Sequence, residues 1–244
     1  MSLAVLNLDP ALAQQLVTAE RLEERQTYCA TGIAVIDELL GGGWPRGALS
    51  ELCGPRSSGR TSVLLASLAA SLAAEYATAL VDVDGSLDPR GAAAAGVPLG
   101  QLLWVRAPGR QALKAADLLI AAGGFGMVAL DLGEGQARIP SAAWMRLKHA
   151  AERQQTAVVV AAPRRTVGAF ASSAIDLSAR KPRFHGANDA GVNGPHAGAT
   201  PPLLMALDTI LEVRRLRRSH TQSAGTSSTR LVVHADRGQP WESH

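Results

Sequence analysis

The stretch Gly54-Pro55-Arg56-Ser57-Ser58-Gly59-Arg60-Thr61-Ser62 constrains this chain more than any other feature. Its spacing is that of a phosphate-binding loop, G-x-x-x-x-G-K-[ST], with arginine in place of the lysine. The apolar run 48–53 before it reads as a strand, and 63–70 after it reads as a helix. That strand–turn–helix context is what the motif needs. Its glycines let the backbone turn sharply, so that N–H groups cradle phosphate oxygens, and the helix N-terminus adds a positive partial charge. All nine residues are candidate cofactor-binding positions, and Thr61 carries the hydroxyl that reaches Mg²⁺. Lysine in such a loop places a compact charge on the β- and γ-phosphates. The longer planar fork of Arg60 does not occupy the same point. Two readings stay open. Either the loop binds nucleotide weakly with poor turnover, or it persists only as a fold-stabilising turn.

The chain has 244 residues, 47% of them apolar, enough for one large α/β domain. Aromatics are only 4%, so the core must be aliphatic and alanine-rich. Charges interrupt every apolar run before the ~18 residues of a membrane span. Residues 1–6 lack the basic start of a secretory signal. Cys29 and Cys53 have no metal spacing and are expected as core thiols of a reduced, cytoplasmic chain. The histidines are scattered, which argues against a metal site, and there is no Ser-His-Asp constellation.

Strand and helix signals alternate along the chain. Residues 11–25 place Leu12, Leu16, Ala19 and Leu22 at helical spacing. Thr31 is placed to cap a helix that runs through Leu40 and ends at Gly41-Gly42-Gly43. Strands are predicted at 77–84, 102–106, 127–131 and 157–162. Helices are predicted from Asp88-Pro89, over 110–122 and over 140–153. Apolar strands separated by helices imply a parallel sheet covered on both faces. Residues 163–174 read as a loop. Residues 175–180, 210–214 and 230–234 read as antiparallel strands closing the sheet, with a mobile loop at 185–202 and a frayed tail at 235–244.

Charge is uneven. Residues 1–163 hold 13 Lys+Arg against 15 Asp+Glu, whereas residues 164–244 hold 11 against 6. A basic C-terminal third suggests an anionic partner, nucleic acid first. Arg180-Lys181-Pro182-Arg183 and Arg214-Arg215-Leu216-Arg217-Arg218, on adjacent strands, would form one basic face. The alternative is a solvated edge that resists aggregation.

Several elements in order carry a family resemblance. They are Thr31-Gly32-Ile33, Asp37 to Gly43, Pro45-Arg46-Gly47, the loop 54–62, Val81-Asp82-Val83-Asp84 with Leu87-Asp88-Pro89, and Val128-Ala129-Leu130-Asp131. Over residues 28–162 the chain resembles the RecA recombinase family. Within it, the chain is similar to the shortened RecA-like proteins called ImuA, a group also described as SulA-like. The resemblance implies an α/β RecA-like P-loop fold with a mainly parallel central sheet flanked by helices and a C-terminal antiparallel extension. It divides the chain into an N-terminal helical arm (1–27), a core (28–234) and a tail (235–244).

The resemblance also assigns roles. Asp131 matches the strand-end acid that holds Mg²⁺ through water, though a strand-end acid also caps nearby backbone. Leu132 follows where a hydroxyl residue is expected. Asp84 falls where the family has a water-activating glutamate. It is one methylene shorter, a change on the ~1 Å scale that costs about 10²-fold in rate. ATP with Mg²⁺ is thus implied as a weak, non-essential cofactor, with residual ATPase at most. The region after the fifth strand binds single-stranded DNA in the family. Here Arg164 and Arg165 would meet phosphates and Phe170 would stack on a base or anchor the loop. The implied role is an accessory protein of error-prone translesion synthesis in the SOS response to DNA damage. Its implied partners are an ImuB-type polymerase homologue, RecA, single-stranded DNA and further copies of itself, with no membrane. The alternatives are an ATP-dependent recombinase-like ATPase and a SulA-like cell-division inhibitor.

Overall fold

The computed structural model describes residues 28–135, 139–185, 203–216, 227–234 and 242–243. The proposed arm at 1–27, the expected mobile loop 185–202 apart from His185, and the basic residues Arg217 and Arg218 lie outside them. A short ribbon pairs β1 (Tyr28–Cys29) with β2 (Trp44–Pro45) across α1 (Ala34–Leu40). The main body then alternates: β3 (Ala48–Cys53), α2 (Arg60–Ala73), β4 (Ala77–Asp82), α3 (Pro89–Ala94), β5 (Leu102–Arg106), α4 (Arg110–Ala122), β6 (Phe125–Asp131), α5 (Ser141–Gln154) and β7 (Ala157–Ala162). Long strands β8 (Ala171–His185), β9 (Leu203–Leu216) and β10 (Ser227–His234) follow, with a two-residue β11 (Glu242–Ser243). Among the described residues nine strands form one sheet in the order β11-β10-β9-β8-β3-β7-β6-β4-β5.

Strand alternation sends successive side chains to opposite faces, and this builds two cores. Met127 and Ala129 of β6 pack with Leu52, Leu80 and Val159 under α1, α2 and α3. Val128 and Leu130 pack with Leu49, Val81, Val158 and Val160 under α4 and α5. Small residues let these two helices approach the sheet: Ala112, Ala116, Ala150 and Ala151 are all buried. Trp144 and Leu147 supply the bulk. Both cysteines are free and buried, as expected of core thiols.

Asp88 caps α3, its carboxylate accepting the N–H groups of Arg90 and Gly91, with Pro89 at the first helical position. Thr31 does not cap α1. The helix begins after Ile33, and the Thr31 hydroxyl closes a local turn with the Ile33 N–H and carbonyl. Asp37 of the first turn instead reaches back to accept the Thr31 N–H at 2.7 Å.

The C-terminal strands differ from expectation in three ways. β8 begins at Ala171, inside the segment expected as loop. It runs parallel to β3 and antiparallel only to β9, so the sheet changes sense one strand later than predicted. The expected tail contributes Glu242 and Ser243 as partners of Val232 and Leu231.

Candidate functional site

Strands β3, β4, β6 and β7 run parallel, so their C-terminal ends converge at one edge. In open α/β sheets ligands bind at that edge. The loop 54–62 leaves β3 there and enters α2. Gly59 ends it at φ +90°, a left-handed conformation that admits glycine without steric cost and aims the first turn of α2 at the loop. Gly54 lies so close to Ser58 that a Cβ would overlap the Ser58 hydroxyl. Ser58 Oγ is buried and has no protein partner. Thr61 is exposed on the first turn of α2. The loop therefore fits a phosphate group: it is tight, it is anchored at both ends, and it holds an unspent hydroxyl. Residues 54–62 would hold the phosphates, and Thr61 with Asp131 would hold Mg²⁺.

Arg60 is turned away from that task. Its side chain is only 8% exposed. Nη1 donates to the Gly54 carbonyl at 2.5 Å, and Nη2 to Glu134 Oε1 at 2.7 Å. Arg56 lies outside, 82% exposed, with Nε 3.9 Å from Glu134 Oε2, a solvated contact of little energetic weight.

The acids form a second layer. Asp131, at the end of β6, accepts the Gly133 N–H at 3.0 Å. Burial pushes its carboxyl above the ordinary aspartate value; the Gly133 N–H and Arg60 pull it down, and Asp82 and Asp84 push it up. Asp84 Oδ2 accepts the Glu134 N–H at 2.9 Å, so the candidate base is exposed but tethers the loop after β6. Asp82 is buried and structural: it accepts the N–H groups of Ser86 and Leu87 and the indole N–H of Trp104. Leu132 gives its N–H to the Ala161 carbonyl and buries its side chain.

The loop after β7 is pinned from below. Glu51, on β3 and 1% exposed, accepts the N–H groups of Thr166 and Val167 through one oxygen. Arg165 faces Asp176, Nε at 3.2 Å. Arg164 is exposed, and Phe170 packs against the α4–α5 core. Lys181 pairs in register with Asp208 and Arg183 with Ala206, while Arg215 pairs with Ala174. Arg180 lies on the same stretch of β8 and Arg214 beside Arg215 on β9. The register thus separates Arg215 from Lys181 by seven residues of β8, about 23 Å at ~3.3 Å per residue. Along the strands Arg214 and Arg215 are offset from Arg180, Lys181 and Arg183. The Arg180–Lys181–Arg183 group lies beyond Cys53, at the end of the sheet that carries the phosphate loop.

Glu134 and Glu51 escaped the sequence reading. Glu51 had a signal, an acid inside an otherwise apolar strand. Glu134 had only its place between two glycines and the surplus of arginine in the loop it meets.

Fold and site together define a phosphate-loop α/β protein with a RecA-like fold. The RecA N-terminal domain model matches residues 13–143, more than half of the chain, and the chain belongs to that family. Protein RecA of Borreliella afzelii (strain PKo) is 40% identical over 105 residues, 42% of this chain and 28% of that protein. Protein RecA of Mycobacterium bovis (strain ATCC BAA-935 / AF2122/97) is 38% identical over 136 residues, 54% of this chain and 17% of that protein. The chain thus matches well under a third of the length of these relatives. Among solved structures, the RadB recombinase superposes with a TM-score of 0.57 at 18% identity, over 83% of this chain and 95% of that one. This last likeness concerns the fold. No helix among the described residues is long and apolar enough to cross a membrane.

Proposed function

We propose that this chain is a RecA-like accessory protein of damage-induced, error-prone translesion DNA synthesis, of the ImuA type. It works through protein contacts with an ImuB-type polymerase homologue and RecA, and through single-stranded DNA. Its nucleotide site is degenerate. One observation carries the reading: the phosphate loop keeps its shape while Arg60 spends its guanidinium on Gly54 and Glu134. Asp84 supports it, being both shorter than the family's glutamate and engaged by the Glu134 backbone. Arg164, Arg165 and the Arg180–Arg183 group are the proposed DNA contacts, and residues 1–27 the proposed partner segment.

The test is genetic and biochemical together. Deletion of the gene should abolish damage-induced mutagenesis, and the ImuB-type homologue should be retained by the tagged full chain. Mutagenesis that persists after deletion would end the reading. Filamentous cells on overexpression, with mutagenesis intact, would favour the division-inhibitor alternative.

A second reading, a recombinase-like ATPase, draws on Thr61 and Asp131, which keep the positions of magnesium ligands. DNA-stimulated ATP hydrolysis lost in Asp131→Ala would favour it over the accessory role.

A further inference from the structure

Glu134 belongs to no motif in the sequence, yet it binds the one residue of the phosphate loop that departs from the pattern. We propose that Glu134 is a positioning residue that acts through Arg60. The pair is a latch: it holds the phosphate loop closed to anions and ties the loop after β6 to nucleotide occupancy. This rests on the reading of 54–62 as a nucleotide site.

Both terminal nitrogens of Arg60 are engaged by the protein, Nη1 by the Gly54 carbonyl and Nη2 by the Glu134 carboxylate. A phosphate that draws the Arg60 guanidinium towards the loop pulls it from that carboxylate, and the two anions compete for the Nη2 donor that faces Glu134. The backbone that carries the carboxylate is held independently of Arg60. The Glu134 N–H is bound by Asp84 at the end of β4, and the Gly133 N–H by Asp131 at the end of β6. The turn between them leaves no slack, since a Cβ at Gly133 would overlap the Asp84 carboxylate. Glu134 is therefore preset against the loop from two strand ends. When phosphate draws Arg60 away, Glu134 keeps only Arg56, 3.9 Å off and largely solvated. Residues 133–135 then lose one of their anchors. Occupancy of the loop at β3 is in this way reported at the end of β6. The ligand can shift this equilibrium only by its differential affinity for the two states of Arg60.

The experiment uses the full chain and three variants: Glu134→Gln, Arg60→Ala and the double substitution. Binding of MgATP and of inorganic pyrophosphate is measured by calorimetry, and amide exchange is followed over 133–135. Glu134→Gln should tighten both ligands about 5–10-fold, within the usual range for coupled neighbours. In the Arg60→Ala background the same change should have little effect. Exchange over 133–135 should quicken in either single variant without ligand, and in the wild-type chain on adding MgATP. Wild-type affinity unchanged by Glu134→Gln would sink the latch and leave the nucleotide site standing. Tightening that persists in full without Arg60 would reduce it to charge repulsion and sink it equally. Where Arg60→Ala binds too weakly to read, unaltered exchange over 133–135 overturns the proposal. If neither the wild-type chain nor Glu134→Gln binds either ligand, the latch and the nucleotide reading fall together.

Discussion

Glu51 on β3 holds Val167, in the loop after β7, through a single carboxylate oxygen at 2.5 Å, and the same oxygen accepts the Thr166 N–H at 2.6 Å. The other oxygen, Oε2, is buried without a protein partner. Hydrogen bonds to a charged group contribute about 1.5–3 kcal/mol each, and orphaned donors cost extra. Glu51→Ala should therefore destabilise the chain by about 3 kcal/mol in urea unfolding. Glu51→Gln, which keeps one acceptor, should cost about 1 kcal/mol. Equal losses from the two substitutions would show that the side chain's bulk, not its acceptor, is what matters.

Gly133 sits at φ +66°, with the Asp84 carboxylate where a side chain would begin. A left-handed, non-glycine residue costs about 1–3 kcal/mol at such a site, and Asp84 would have to move as well. Gly133→Ala should lower stability by at least ~1 kcal/mol. It should also lift amide protection from Glu134, whose N–H depends on Asp84. A thermal midpoint equal to that of the wild-type chain would mean that the turn relaxes without strain.

How much of this was legible in the sequence depended on how local the cause was. Asp88-Pro89 announced a helix start because cap and first-turn proline act within three residues. The phosphate loop was legible for the same reason. Thr31 misled because its hydroxyl closes a turn on Ile33 and the helix starts only after that residue, and residue type alone does not tell which group caps which. β8 alternates as a strand should, but its parallel sense is set by its neighbour β3, over a hundred residues away. The two basic clusters looked adjacent until register was known, and register is a property of the pair of strands. Arg60 stood out as a departure. Its partner Glu134, 74 residues later, did not.

The cysteines give a prediction about reactivity. Burial pushes the Cys53 thiol up to about 12; Glu51 and Asp176 add to the rise, while Arg165 and Arg60 oppose it. Burial also raises Cys29. The thiolate is the nucleophile, and at pH 8 a thiol near 12 is ionised about once in 10⁴. Maleimide or iodoacetamide at pH 8 should leave the native chain unlabelled and modify both thiols in denaturant. Rapid native labelling at Cys53 would mean that β3 opens far more readily than its burial implies.

Asp131 sets stability against function. Its folded pKa is raised from 3.8, with burial the largest cause. A carboxyl whose folded pKa lies above its unfolded value binds its proton more tightly in the native state. Its stabilising contribution is full below the unfolded pKa and is lost as pH rises through the folded one. At neutral pH the buried Asp131 carboxyl thus works against the unliganded fold. Asp131→Asn keeps an acceptor for the Gly133 N–H and removes the buried charge. It should raise the thermal midpoint at pH 7, with the gain shrinking as pH falls towards 3.8. The same change removes the anionic oxygen that Mg²⁺ would need, so any Mg²⁺-dependent part of nucleotide affinity should vanish. Scanning calorimetry across pH 4–7, with and without MgATP, reads both effects at once. A lower midpoint at pH 7 in the free chain would show that the ionised carboxylate is already compensated by its neighbours, Arg60 first among them.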